Sequence, residues 1–154
     1  MIGEILKRFE PRRENLLDIL HAMQEASPTN SLSKEDIEAV AKYVGITPAE
    51  VWGTATFYSM FSVKPRGKYV IRVCTSPACH LLGGESVLEA LKRELGIDVG
   101  ETTKDGVFTL ETSSCLGICG VAPAMMIDEI AYGNLTPEKI KEIILSYRKR
   151  GEES

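Results

Sequence analysis

The stretch KYVIRVCTSPAC, residues 68–79, decides how this chain folds. Its first half, Lys68 to Val73, is rich in β-branched and aromatic residues, which is typical of a strand. Cys74 stands at the end of that predicted strand, and Cys79 follows on the loop beyond it. The stretch therefore predicts a sheet that carries a pair of thiols at one of its ends.

A second cysteine pair follows a second predicted strand further along the chain. The pattern is Cys74-x4-Cys79 and Cys115-x3-Cys119, with 35 residues between the pairs, and the chain has 4 cysteines in all. Two close thiol pairs on loops are what a four-thiolate metal site needs. Because no cysteine is spare, we expect the loss of any one of the four to abolish the site.

From residue 67 onwards the sequence predicts the order β-α-β-β-α. Asp105-Gly106 is a turn signal before the second strand. We expect both cysteine pairs to lie at one end of a small sheet, since each pair follows a strand. The predicted elements are strands at residues 68–73, 107–112 and 123–128, and helices at residues 85–95 and from Thr136-Pro137 towards the C-terminus.

The part of the chain before residue 67 is predicted to be helical. The fold class is therefore α+β or α/β, with an N-terminal helical bundle at residues 1–66 and a second domain at residues 67–154. The turn-like segment KPRG, residues 64–67, separates the two.

Local signals place the helices of the N-terminal part. An apolar face at helical spacing predicts a helix from Pro11 to Ala26. Ser33 is placed to cap a second helix, and Thr47-Pro48-Ala49-Glu50 is a capping box with proline at the first helical position. The aromatic residues of the third helix are interpreted first as core, with a docking surface as the alternative; they are Trp52, Phe57, Tyr58 and Phe61.

Composition and charge exclude several classes of function. The formal net charge is −4, the sequence pI is about 5.3 and there is no basic stripe, so we expect no nucleic-acid partner. No apolar run is long enough to span a bilayer, and the first residues lack the features of a secretory signal. We therefore expect a cytoplasmic chain without direct membrane insertion. In that reducing setting, paired cysteines are more often metal ligands or redox groups than disulfides.

The cysteine pattern by itself leaves more than one cofactor open. Four thiolates suit zinc or a [2Fe-2S] cluster, and gaps of four and three residues fit the larger cluster better than the C-x2-C knuckles usual for zinc. A Rieske centre needs two histidines, whereas the chain has only His21, on a predicted helix, and His80. A thioredoxin-type enzyme needs Cys-x-x-Cys, which is absent. A structural zinc-binding module remains the alternative function.

Residues beside the cysteines are suited to bond sulfur. Gly117 and Gly120 allow backbone N–H groups to turn towards a thiolate, and Thr75, Ser76 and Ala78 are placed to donate likewise. Such hydrogen bonds stabilise added negative charge and help to set the reduction potential of a cluster.

The sequence as a whole resembles the thioredoxin-like [2Fe-2S] ferredoxin family. The cysteine pattern is joined by GETTKDGVF at residues 100–108, CLGICGVAP at residues 115–123 and YGNLTP at residues 132–137. The stretch VWGTATFYSMF at residues 51–61 also resembles the family, whereas the sequence at residues 128–132 departs from the usual family sequence. The family includes a small subunit of respiratory complex I and the matching small subunits of NAD-dependent and electron-bifurcating hydrogenases and of formate dehydrogenases.

This resemblance implies a helical segment followed by a thioredoxin-like [2Fe-2S] domain. One [2Fe-2S] cluster would be held by Cys74, Cys79, Cys115 and Cys119, in a non-catalytic electron-transfer subunit. In the family, this subunit packs against a larger flavoprotein subunit that carries FMN, the NADH site and a [4Fe-4S] cluster, within a complex that holds a further iron–sulfur subunit. The small subunit's cluster exchanges single electrons with the FMN. The parent complex stays open between a hydrogenase and a complex I type NADH dehydrogenase.

Overall fold

The chain changes from helices alone to a mixed sheet and helices at residue 67. The computed structural model describes residues 1–152, and the chain separates into one unit at Met1–Arg66 and another at Gly67–Ser154. The first unit consists of α1 (Ile2–Leu6), a 3-10 turn (Arg13–Asn15), α2 (Leu16–Ala26), α3 (Lys34–Val44) and α4 (Pro48–Phe57).

Capping side chains fix where α3 and α4 begin. Ser33 accepts a hydrogen bond from the backbone of Asp36, and the Asp36 carboxylate accepts one from the Ser33 backbone. Thr47 and Glu50 make the same reciprocal pair at α4, where Pro48 occupies the first turn. Both predicted starts are confirmed. The first predicted helix is shorter than expected, because residues 13–15 form a 3-10 turn before α2.

Three of the four aromatic residues at positions 52–61 correct the expectation that they belong to the core. Val51 and Ala55, four residues apart, supply the buried side of the helix. Trp52 is 47% exposed and Phe57 is 80% exposed, because their positions lie on the side turned away from Val51 and Ala55. Of the four aromatic residues, Phe61 alone is buried. The remaining core of this unit comes from α1, α2, α3 and the loop residue Leu32: Ile5, Leu6, Leu16, Ile19, Leu20, Met23, Leu32, Ile37, Val40 and Ala41.

Across residues 67–152 the second unit has four strands, one more than the sequence predicts. The unpredicted strand is β4 (Ile130–Tyr132), which follows β3 (Met125–Ile127) through a tight turn with Asp128 at a φ of 50°. Three residues are too few for an alternating pattern to show. The elements are β1 (Tyr69–Cys74), a helical turn α5 (Pro77–Cys79), a π-helical segment (His80–Gly84), α6 (Glu85–Leu95), β2 (Phe108–Ser113), a 3-10 turn (Cys119–Val121), β3 (Met125–Ile127), β4 (Ile130–Tyr132) and α7 (Pro137–Glu152).

The strand order places the ends of β1 and β2 side by side. The sheet order is β2-β1-β3-β4, with β1 parallel to β2 and antiparallel to β3. Cys74 at the end of β1 lies opposite Ser113 at the end of β2. Helices α6 and α7 pack on this sheet through apolar side chains that include Leu91, Ile140 and Ile144. Within residues 1–152, no helix is both long and apolar enough to cross a membrane.

The division at residue 67 can be tested with the capping box of α4. If residues 1–66 and 67–154 are separate domains, as we propose, Thr47→Ala should lower the free energy of unfolding of the first domain alone, by about 1 kcal/mol. Unfolding in urea would be followed by the fluorescence of Trp52, the single tryptophan, and by far-UV circular dichroism. We expect the Trp52 fluorescence transition to move to lower urea concentration, while a second transition seen by circular dichroism keeps its midpoint.

The control is Thr56→Ala in the same helix. The Thr56 hydroxyl bonds the carbonyl of Trp52 within the helix and caps nothing, so its loss should change the stability by less than about 0.5 kcal/mol. One transition that moves as a whole with Thr47→Ala would contradict separate domains.

Candidate metal centre

The first cysteine pair is buried under the end of the sheet. Cys74 is 2% exposed and Cys79 is 1% exposed. The backbone N–H of Cys74 donates to the carbonyl of Ala124 at 3.2 Å, which ties β1 to the chain that enters β3. Ala124 is buried with the two thiols, and Leu116 and Ile118 pack against them. An apolar pocket therefore holds both sulfurs away from bulk water.

Cys79 lies on a helical turn, which corrects the expectation of a loop. Pro77 begins this turn at a position where its missing N–H costs nothing, and the π-helical segment continues it to α6. Gly84 ends the segment with its backbone pressed on Cys79: a Cβ at Gly84 would lie 2.8 Å from the carbonyl oxygen of Cys79. The close approach of Gly84 thus fixes the place of the second thiol.

The second cysteine pair is exposed. Cys115 and Cys119 follow the end of β2, and their sulfurs are 3.7 Å apart. Gly117 between them has a φ of +76°, a conformation that favours glycine, and its N–H donates to the Cys115 sulfur at 3.3 Å. The predicted turn of a backbone N–H towards sulfur is present at this residue.

The sulfur separation fits two ligands of one metal ion. Thiolates bound tetrahedrally at about 2.3 Å, the metal–thiolate distance known for zinc, lie about 3.8 Å apart. The 3.7 Å between Cys115 and Cys119 matches that value without rearrangement. Within residues 1–152, no three His, Cys, Asp or Glu side chains are grouped closely enough to hold a single ion. The thiols form two pairs, which suits a cofactor with two metal ions.

Electrostatic surroundings differ between the thiols. Burial raises the pKa of Cys74, but hydrogen bonds from the side chain and backbone of Ser76 and from the Leu116 backbone outweigh it and lower the pKa to about 7. Burial and the neighbouring Cys74 raise the pKa of Cys79. The hydrogen bond with Cys115 and the charge of that neighbour raise the pKa of Cys119. Cys74 therefore forms a thiolate more readily than Cys79 or Cys119.

The two histidines are not part of the group formed by the four cysteines. His21 stands on α2 of the first unit, where its ring packs on Phe61 at 4.8 Å between centroids. The side chain of His80 is exposed, and its backbone N–H bonds the carbonyl of Ser76. The interpretation of His80 as a solvated residue agrees with this placement.

Two parallel strands that end in paired thiols, flanked by helices, define a small protein that holds a metal–sulfur centre at a sheet edge. The profile of the thioredoxin-like [2Fe-2S] ferredoxins matches residues 2–148, nearly the whole chain. This chain belongs to that family, as the resemblance of its motifs indicated, and the cofactor of the family is a [2Fe-2S] cluster. The zinc, Rieske and dithiol alternatives are set aside by that membership.

Similar proteins are subunits of redox complexes. The NADP-reducing hydrogenase subunit HndA of Solidesulfovibrio fructosivorans is 39% identical over 146 residues, which cover 95% of this chain and 84% of that subunit. A subunit of the NADH-quinone oxidoreductase of Mycobacterium bovis is 37% identical, over 94% of this chain and 57% of its own length. A crystal structure of an NAD+-reducing [NiFe]-hydrogenase aligns with a TM-score of 0.77 and 25% identity over 92% of this chain.

The chain is much shorter than two of these proteins. It spans 57% of the mycobacterial protein and 23% of the aligned hydrogenase chain. The similarity therefore extends to the fold and to the class of cluster-binding protein. It does not extend to the activity of those larger proteins.

Gly84 offers a test of how the fold positions Cys79. Gly84→Ala should lower the affinity for the cluster by about tenfold and the free energy of unfolding by about 1–3 kcal/mol, because the new Cβ collides with the Cys79 carbonyl. Iron content and visible absorption after reconstitution, with urea unfolding of the same sample, measure both effects.

Gly120→Ala is the matched control. Gly120 adjoins Cys119, and a Cβ there meets nothing within 4 Å, so the variant should retain the wild-type iron content. Equal loss of iron in both variants would show that the close approach at Gly84 has no special role.

Proposed function

We propose that this chain is the electron-transfer subunit of an NAD(H)-linked oxidoreductase complex. In this proposal Cys74, Cys79, Cys115 and Cys119 together hold one [2Fe-2S] cluster. The observation that carries the proposal is the convergence of two thiol pairs on the adjoining ends of β1 and β2 in a member of this family. A bound [2Fe-2S] cluster supplies one-electron chemistry, and we assign no catalytic residue to the chain.

The surroundings of the two pairs suggest different tasks for them. Cys74 and Cys79 are buried in apolar contacts and would anchor the cluster in the fold. Cys115 and Cys119 are exposed and would bring the cluster to the surface, where a partner can exchange electrons with it. Hydrogen bonds from Gly117 and Ser76 to sulfur favour negative charge at the site.

The partner in this proposal is a larger flavoprotein subunit that carries FMN, the NADH site and a [4Fe-4S] cluster. Flavin takes two electrons from nicotinamide and passes them singly, so a one-electron centre beside it is chemically suited to receive one. A further iron–sulfur subunit would belong to the same complex. The support is that similar proteins are named as subunits, and that the aligned hydrogenase chain contains this fold as 23% of its length.

Two exposed apolar surfaces are candidates for the contact. Leu81 and Leu82, two and three residues after Cys79, are 82% and 60% exposed, and Val121, two residues after Cys119, is also exposed. We call these three residues the cluster rim. The aromatic surface of α4, Trp52 and Phe57, is the second. Apolar side chains exposed beside the cysteines suit a contact that excludes water where an electron crosses.

The parent complex is proposed to be an NAD-dependent or electron-bifurcating hydrogenase, or a complex I type NADH dehydrogenase. HndA and the NAD+-reducing hydrogenase favour the first, and the NADH-quinone oxidoreductase relative favours the second. Reduction of the purified complex distinguishes the two parents. In a hydrogenase, H2 should reduce the cluster, whereas in an NADH dehydrogenase only NADH should reduce it.

The proposed electron transfer is tested by Cys115→Ser. Cys115 is exposed, so its loss should leave the fold intact while removing one ligand. We expect the visible absorption and the NADH-driven bleaching of the cluster in the assembled complex to fall at least about tenfold, as measured by stopped-flow absorbance under anaerobic conditions.

Ser114→Ala, which changes an exposed neighbour, is the control and should bleach at the wild-type rate. A Cys115→Ser complex with native iron content and native bleaching would refute the ligand assignment. A wild-type cluster that NADH fails to bleach would refute electron exchange with the flavin.

Docking is tested with variants of both surfaces. Leu81→Ser with Leu82→Ser should weaken binding to the purified FMN-carrying subunit by about tenfold or more, which is about 1.4 kcal/mol, and should slow electron exchange in the saturated complex. Phe57→Ser should weaken binding while leaving the rate in the saturated complex unchanged. Calorimetry gives the affinity, and stopped-flow absorbance gives the rate.

Leu145→Ser is the control for loss of any exposed leucine, since Leu145 is 44% exposed on α7. Native affinity and rate in the Leu81 and Leu82 double variant would show that the cluster rim is not the contact.

A further inference from the structure

The side-chain hydroxyl of Ser76 lies within hydrogen-bond distance of a cysteine sulfur. The Ser76 Oγ is 3.2 Å from the Cys74 Sγ. Ser76 is two residues beyond the end of β1 and stands at the N-cap of the helical turn that carries Cys79. It therefore sits between the two members of the buried pair.

The backbone holds Ser76 in this place. Its φ and ψ of −67° and 159° are extended, and its carbonyl accepts the N–H of His80 at 2.9 Å. Pro77 follows directly and restricts the backbone of the residue before it to this extended region. The hydroxyl is thus presented to the sulfur by a constrained backbone rather than by a mobile loop.

The Ser76 hydroxyl is the donor in this hydrogen bond, because the sulfur has no hydrogen to give to it. As a thiol, Cys74 donates its own hydrogen to the carbonyl of Ser114, at 3.1 Å. A metal-bound thiolate has no hydrogen and accepts only. In the bound state, the Ser76 hydroxyl is then the donor, and its dipole points a positive end at the sulfur.

We propose that Ser76 is a positioning residue whose hydroxyl donates to the sulfur of cluster-bound Cys74 and thereby raises the reduction potential of the cluster. This rests on the proposed function, which makes Cys74 a ligand. Reduction adds one electron to the cluster and its thiolates, with no bond made or broken and no proton required. A donor to sulfur stabilises the more negative, reduced form more than the oxidised form.

The neighbouring threonine provides a matched comparison. Thr75 adjoins Cys74 and carries the same functional group, but its hydroxyl donates to the carbonyl of Ser113 at 3.0 Å. Its hydroxyl is engaged with the β2 end and not with sulfur. Thr75→Val removes a hydroxyl next to the cluster without removing a bond to a ligand.

The experiment is a potentiometric titration of the full-length, cluster-loaded chain with dithionite, read by EPR. Ser76→Ala should lower the equilibrium constant for one-electron reduction five- to tenfold, a shift of about 40–60 mV to more negative potential. Ser76→Thr should restore the wild-type value, and Thr75→Val should stay within about twofold of it. The iron–sulfur(Cys) stretching bands in resonance Raman spectra should move in Ser76→Ala and not in Thr75→Val.

The outcomes distinguish a failure of the Ser76 proposal from a failure of the proposed function on which it rests. A loaded Ser76→Ala chain with wild-type potential and Raman bands, or an equal shift in Thr75→Val, overturns the role of Ser76 while the cluster assignment stands. A wild-type chain that assembles no cluster overturns the proposed function and this inference together. Ser76→Gly repeats the hydroxyl deletion if Ser76→Ala fails to load.

Discussion

Parallel pairing of β1 with β2 is the constraint on which the metal centre depends. Cys115 is far from Cys74 in sequence, and the pairing of Cys74 with Ser113 brings the two cysteine pairs to one edge of the sheet. A parallel pair requires a crossover, which α6 supplies. The charges of Arg72 and Glu111, opposite each other on the two strands, form an ion pair at 3.4 Å that agrees with this register.

The edge is built unequally, and the difference matters for function. The first pair is enclosed by apolar contacts with Leu116, Ile118 and Ala124, whereas Cys115 and Cys119 are exposed. A cofactor shared by the two pairs would be anchored on one side and accessible on the other. That asymmetry is what a one-electron carrier needs, because it must hold its centre firmly and still let a partner come close.

Most of the fold is predictable from local signals in the sequence. The capping boxes at Ser33 and Thr47 and the apolar face of α6 depend on neighbours in the chain, so they were predictable. The sequence does not predict β4 or the helical turn at Cys79, because three residues are too few to show either strand alternation or helical periodicity.

The sequence predicts which residues form the candidate site, but it does not predict how those residues are arranged. Spacing identifies the four cysteines, but the burial of the first pair comes from Leu116, Ile118 and Ala124, which lie far from it along the chain, while the second pair is exposed. The outward position of Trp52 and Phe57 was not predictable, since aromatic residues at helical spacing are typical of a core.

We propose that two thiol pairs at one sheet edge hold a single two-iron cluster. The Mössbauer spectrum of the full-length chain loaded with 57Fe, together with metal and acid-labile sulfide analysis, tests this directly. We expect two sulfur-coordinated irons and two sulfides per chain, and uptake of one electron on reduction. A single metal ion per chain, no labile sulfide, or a centre that takes up no electron would contradict this proposal.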